Sequence, residues 1–164
     1  MSAWFALGPV NEDNGCMHFL SGSHKQGQKP HNDLHDETNI LTRGQKVDFE
    51  IDESQTVPVV LEPGQVSLHH GYTMHQSGPN HTDQPRVGMV VNYISTSVYQ
   101  TVTNLDFGML VRGEDSYNHF EEIPVPKADF DEDGLAFHQK MMSAHNDVIY
   151  DGAKNTESSA TEIA

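Results

Sequence analysis

Apolar residues along this chain fall into short runs separated by Gly, Pro and Asn, which is the signature of β structure. Ala3-Trp4-Phe5-Ala6-Leu7 is apolar almost from the first residue and predicts a strand. Asn14-Gly15 is a turn signal of the kind that favours a type I′ hairpin, so Cys16 to Leu20 is expected to return as a second strand. Ser21 to Lys46 is polar, rich in Gly, His, Asn and Asp, and predicts a long loop; loops of that length often carry function. Val57 to Leu61 is a short apolar run, followed by a Glu62-Pro63-Gly64-Gln65 turn. Val66, Leu68 and His70 then alternate with Ser67 and His69, as a half-buried strand should. Ser77-Gly78-Pro79-Asn80 turns the chain toward Arg86 to Ile94. There Val87, Met89, Val91 and Tyr93 share one face, and Arg86, Gly88, Val90 and Asn92 the other. Strands are therefore expected at 57–61, 65–70 and 86–94, antiparallel, in a mainly β jelly roll or barrel.

The pattern changes beyond Val98. Ile123-Pro124-Val125-Pro126 reads as an extended spacer. Asp131 to Tyr150 predicts a C-terminal helix with Leu135, His138, Met142, His145 and Ile149 on its apolar stripe. Asp151 to Ala164 is small and polar and is expected to be disordered. The resulting organisation is a β domain over 1–126, a helical extension over 127–150 and a tail over 151–164, with no internal repeat.

Composition narrows the function classes. A length of 164 residues suits one domain, and a hydrophobic fraction of 35% supports one modest core. No apolar run approaches the ~18 residues of a membrane span, so no membrane partner is expected. No basic region precedes the first apolar run; a secretory signal is not expected, and a cytoplasmic location is. The net charge of −15 argues against nucleic acid and anionic lipid, both of which demand clustered Lys and Arg. Cys16 is the only cysteine, which excludes a disulfide framework and a thiolate-rich zinc site within one chain. Eleven histidines leave room for a metal site built from imidazole and carboxylate.

Four features carry candidate chemistry. Trp4 opens a strand; Asn14-Gly15-Cys16 precedes Ser21-Gly22-Ser23-His24-Lys25; Pro63-Gly64 introduces a strand ending near His69-His70; and His75-Gln76-Ser77-Gly78-Pro79-Asn80 is followed by Arg86. This order resembles the phytanoyl-CoA dioxygenase family of non-haem iron(II), 2-oxoglutarate-dependent oxygenases, over roughly Trp4 to Pro126. Ser21 departs from the family's usual Pro, which touches a turn and not the chemistry. The resemblance implies a partial double-stranded β-helix (jelly roll, cupin-like), with Fe(II) and 2-oxoglutarate as cofactors and a small molecule as substrate. It implies that His75 is the distal histidine of a two-His, one-carboxylate iron site. Arg86 matches the arginine that grips the cosubstrate's far carboxylate, a task suited to a planar fork of donors. Ser77 is expected to add a hydroxyl there, and Trp4 matches an aromatic near the cosubstrate. Taken singly, a histidine in a turn or an arginine at a strand end is usually structural; the shared spacing is what favours function here. His69 and His70 are assigned to strand packing or solvent.

In the family the first His-x-Asp ligand pair precedes the Trp strand, whereas three residues stand before Trp4 here. The expectation is therefore an N-terminally truncated oxygenase domain that binds iron weakly alone and self-associates through uncovered sheet edges. Such a chain would be an incomplete reading frame, a designed fragment or a naturally shortened, non-catalytic relative. His31-Asn32-Asp33 is the competing His-x-Asp pair, but it follows the Trp strand and its neighbours lack strand alternation. The expected activity at family level is hydroxylation. The alternatives are a non-catalytic cupin-like binding module, or a halogenating relative in which a small residue replaces the carboxylate ligand.

Overall fold

The computed structural model describes residues 1–33 and 45–151, in two compact units that divide between Tyr93 and Ile94. The first unit holds β1 (Ser2–Ala6), β2 (Met17–Leu20), β3 (His31–Asp33), β4 (Gln45–Val47), β5 (Thr56–Pro58), β6 (Val66–His69), β7 (His75–Ser77) and β8 (Gly88–Asn92). Six of these strands form two three-stranded antiparallel sheets, ordered β6-β1-β8 and β5-β2-β7. From β5 onward the chain passes from one sheet to the other at each strand, the winding of a jelly roll. The expected strands at 57–61, 65–70 and 86–94 are thus present, each shorter than its apolar run.

The Asn14-Gly15 turn does not make a hairpin. A type I′ turn needs positive φ at both central residues, and here only Gly15 has it, at 76°. The segment closes instead as one helical turn, in which the Cys16 N–H donates to the Asn11 carbonyl at 2.9 Å. Chain direction therefore changes, and β2 enters the opposite sheet instead of pairing with β1. In the polar stretch expected to loop from Ser21 to Lys46, residues 34–44 lie outside the described residues, and the described part is more than a plain loop. It contains a 3₁₀ turn at Ser23–Gln26 and the antiparallel pair β3–β4, with His31 opposite Val47. The lack of alternation around His31 did not prevent a short strand there.

The core of the first unit lies between the two sheets. Trp4 and Ala6 from β1 pack with Val10, Cys16 and Met17, and Phe19, Val59 and Leu61 close around them. Alternation on β6 runs opposite to the simple expectation. Ser67 and His69 are the half-buried pair, while Val66 and Leu68 stand 40% and 61% exposed on the outer face. On β8, Met89 is likewise exposed, across β1 from Val66. The interior-facing positions are polar because that side carries the candidate site described below.

The second unit holds β9 (Phe107–Gly108) and β10 (Glu121–Glu122), which pair in parallel, and α1 (Glu132–Ile149). Asp131 caps α1 by accepting from the Gly134 N–H at 3.0 Å, and Glu132 and Asp133 suit the positive end of the helix. The helix spans the expected residues but turns a different stripe inward. Phe137, Met141, Ala144, His145 and Val148 are its covered positions; of the expected stripe only His145 is among them, and Leu135, His138, Met142 and Ile149 are exposed. Phe107 decides this: its ring meets Phe137 at 5.5 Å and His145 at 6.3 Å, edge to face. Lys140 adds a cation over the Phe107 and Phe137 rings and an ion pair to Glu121. Among the described residues no helix is long and apolar enough to cross a membrane. The proposed tail lies outside the described residues except for Asp151.

Candidate functional site

His75 begins β7, where register pairs it with Phe19 of β2. Its position is held through Met74, the buried residue before it. The Met74 N–H donates to the Ser23 hydroxyl at 2.8 Å, and the Met74 carbonyl accepts from the Leu20 N–H at 3.0 Å. Ser23 is 1% exposed, so the Ser-Gly-Ser-His-Lys segment acts here as a buried anchor for the strand that carries His75. The imidazole Nδ1 of His75 lies 2.8 Å from the Thr73 carbonyl oxygen. A carbonyl can only accept, so Nδ1 is the donor in this bond, and the tautomer with its proton there has its lone pair at Nε2. A backbone carbonyl fixing the tautomer in this way is the usual second partner of a metal-binding histidine.

His69 reaches the same place from the other sheet. Its ring lies 5.4 Å from that of His75 and 4.8 Å from Phe19, which in turn meets His75 at 5.9 Å. Burial, and then the neighbouring His75, hold the His69 imidazole below its ordinary pKa, so it sits neutral. Its Nδ1 is buried and has no hydrogen-bond partner among the described residues. His69 thus packs in the strand, as the sequence suggested, but it packs beside His75. His70 does not; it faces His24 and Tyr72 at 5.6 and 5.2 Å.

Arg86 stands just ahead of β8, half-buried, with its guanidinium carbon 5.6 Å over the Trp4 ring. Among the described residues no carboxylate pairs with it. Trp4 is opposite Ser67 on β6, and two residues away Ser2 is opposite His69. Trp4 and His69 therefore share the face of this sheet that looks toward β2 and β7. A cation held over an aromatic ring, with no counter-ion among the described residues, is a ready receptor for an anion. Ser77 has the same strand parity as His75, and its hydroxyl makes no hydrogen bond among the described residues.

Two turns hold these groups in place. Asn14 is buried; its amide donates to the Pro9 carbonyl and its Oδ1 accepts from the Asn11 N–H, while Asn11 Oδ1 accepts from the Asn14 N–H. That turn abuts the segment after Ser77, where the His81 N–H donates to the Asp13 carbonyl at 2.9 Å. A Cβ on Gly15 would lie 2.6 Å from the Gly78 carbonyl oxygen. Asn80 then folds the connection to Arg86, accepting from the Thr82 N–H and donating to the Gln84 carbonyl. Its part is structural, with no contact to the histidines.

His31 and Asp33 lie on β3. Among the described residues no group of three or more His, Cys, Asp or Glu side chains could hold a metal, so these two do not assemble a triad with His75. The fit to iron is therefore partial. One oriented imidazole and an unpaired guanidinium suit a metal ligand and a carboxylate grip, but the described residues do not make a complete ligand set. The sequence marks Gly15 and Ser23 as parts of motifs but not their supporting contacts, and it does not mark His69 as a neighbour of His75; a Gly amid β-forming residues at 88 is a signal of close approach.

Comparisons with known proteins identify the family of the chain. The family model for phytanoyl-CoA dioxygenase (PhyH) matches residues 1–88. Peroxisomal phytanoyl-CoA dioxygenase of Rattus norvegicus is 30% identical over 94 residues, 57% of this chain and 28% of that enzyme. A probable alpha-ketoglutarate-dependent hypophosphite dioxygenase of Stutzerimonas stutzeri is 28% identical over 126 residues, 73% of this chain and 44% of that enzyme. Among solved structures, the apo form of the non-heme monooxygenase ThoJ superposes with a TM-score of 0.78 at 33% identity, covering 92% of this chain and 53% of that one. Its nickel complex gives 0.69 at 30% identity, covering 92% of this chain and 51% of that one. The chain thus spans about half the length of ThoJ and less of the curated relatives. Matched over more than half its length, this chain belongs to the phytanoyl-CoA dioxygenase (PhyH) family of iron(II)- and 2-oxoglutarate-dependent oxygenases.

Proposed function

We propose that this chain supplies the distal half of an oxygenase site, with His75 as one iron ligand and Arg86, Ser77 and Trp4 as the seat of the 2-oxoglutarate carboxylate farthest from the metal. The reaction is oxidation by dioxygen: 2-oxoglutarate loses CO2 and takes one oxygen atom to become succinate, and the other oxygen atom hydroxylates a small molecule. Iron bound at the site would supply the oxidation chemistry; the chain's own residues bind, orient and enclose. The single observation that carries the reading is the Arg86 guanidinium, laid over Trp4 with no carboxylate partner among the described residues, on the side of the sheet that meets His75 through His69. Among the described residues no second and third metal ligand joins His75. A small-molecule substrate accompanies this reading, since a net charge of −15 disfavours polyanionic partners.

Titration with 2-oxoglutarate tests the assignment. Arg86→Ala should weaken binding at least about tenfold, the cost of leaving a carboxylate without its charged donor, and Arg86→Lys should restore only part because it lacks the fork. Equal affinity in all three proteins would remove Arg86 from the role.

A further inference from the structure

Gly88 stands in the run Val87-Gly88-Met89-Val90-Val91, where every neighbour is apolar and suited to a strand. Glycine inside a strand costs stability, so its presence points to something that needs the space. That something is the Trp4 indole. A Cβ built on Gly88 would collide with Trp4 Cζ2 and Cε2 and lie 2.6 Å from Cη2, against the six-membered part of the indole. No comparable demand exists on its backbone, because Gly88 is not among the positive-φ glycines.

The register explains the approach. Trp4 is directly opposite Val90, and Gly88 is opposite Ala6, so the indole leans diagonally across β8 toward its start. Only a residue without a side chain leaves that diagonal open. The ring then lies under Arg86, two residues before Gly88 and just ahead of β8, and is itself only 8% exposed.

We propose that Gly88 is a positioning residue for Arg86: its missing side chain seats the Trp4 ring, and the seated ring holds the guanidinium in the direction from which it meets the far carboxylate of 2-oxoglutarate. The inference rests on the carboxylate-binding role of Arg86 proposed above. A side chain at position 88 would lift the indole and move the guanidinium with it, without removing any group that touches the cosubstrate.

The test uses this chain and two keto acids, 2-oxoglutarate and 2-oxopentanoate, which share the keto-acid end and differ in the distal carboxylate. Trp4 is the only tryptophan, so its emission reports the seat alone, and calorimetry gives both affinities. The wild-type chain should prefer 2-oxoglutarate, and Arg86→Ala should abolish that preference. Gly88→Ala should shift Trp4 emission to the red and cut the preference at least about tenfold, by weakening 2-oxoglutarate and sparing 2-oxopentanoate. Adding Trp4→Phe to Gly88→Ala should recover most of it, because the smaller ring leaves room for the methyl group. This double variant carries the test if Gly88→Ala does not fold. The positioning role is overturned if Gly88→Ala keeps the preference that Arg86→Ala loses, if both keto acids weaken in parallel, or if Trp4→Phe brings no recovery. A preference that survives Arg86→Ala would instead overturn the carboxylate-binding reading itself, and the positioning role with it.

Discussion

The His75 imidazole donates its Nδ1 proton to the Thr73 carbonyl oxygen across 2.8 Å, which leaves Nε2 as the ring's free donor to a metal. In a polypeptide extended upstream to carry a His-x-Asp strand, His75→Ala should lower Co(II) affinity by at least one order of magnitude. His31→Ala and Asp33→Ala should leave it unchanged. Metal titration followed by the cobalt absorption bands checks both. Tight stoichiometric binding by the present chain, lost with His31→Ala, would show that β3 supplies the ligands after all.

Gly15 faces the Gly78 carbonyl with no room for a side chain between them. Gly15→Ala would place a methyl group 2.6 Å from that oxygen at a residue whose φ is 76°. Left-handed backbone alone costs a non-glycine residue about 1–2 kcal/mol, and the collision adds to it. Urea denaturation should show a loss of about 2 kcal/mol or more. Because the same turn supports the loop after Ser77, 2-oxoglutarate affinity should fall as well. A loss below about 0.5 kcal/mol would mean that the two turns are not pressed together.

Cys16 offers a pH-dependent prediction. Burial raises its thiol pKa above the ordinary value, outweighing a backbone hydrogen bond from Val59 that pulls the other way. The folded state thus favours the protonated thiol. Its stabilising contribution is complete below the ordinary thiol pKa and is lost as pH rises through the raised one. Stability should decline on the alkaline side, less steeply in Cys16→Ala. Iodoacetamide at neutral pH should modify Cys16 slowly in the folded chain and rapidly in urea. Equal rates in the two states would show the thiol to be accessible.

Several features of this protein follow from local pattern. The short apolar runs and their Gly, Pro and Asn breaks mark the strands, and Asp131 marks the start of α1, because strand period, turn chemistry and capping are all properties of neighbouring residues. The ordered series from Trp4 through His75 to Arg86 likewise marks the family, since a motif is itself a linear object. What periodicity leaves open is which of two faces meets the interior. On β6 the polar face, Ser67 and His69, turns inward, and on α1 the stripe through Phe137 and Ala144 replaces the one through Leu135 and Met142. Those choices depend on partners far along the chain: β2 and β7 for His69, Phe107 for the helix. The same holds for the sheet that β2 joins and for the empty space at Gly88. Each is decided by an approach between residues that sequence spacing does not relate, and only the packed fold brings them together.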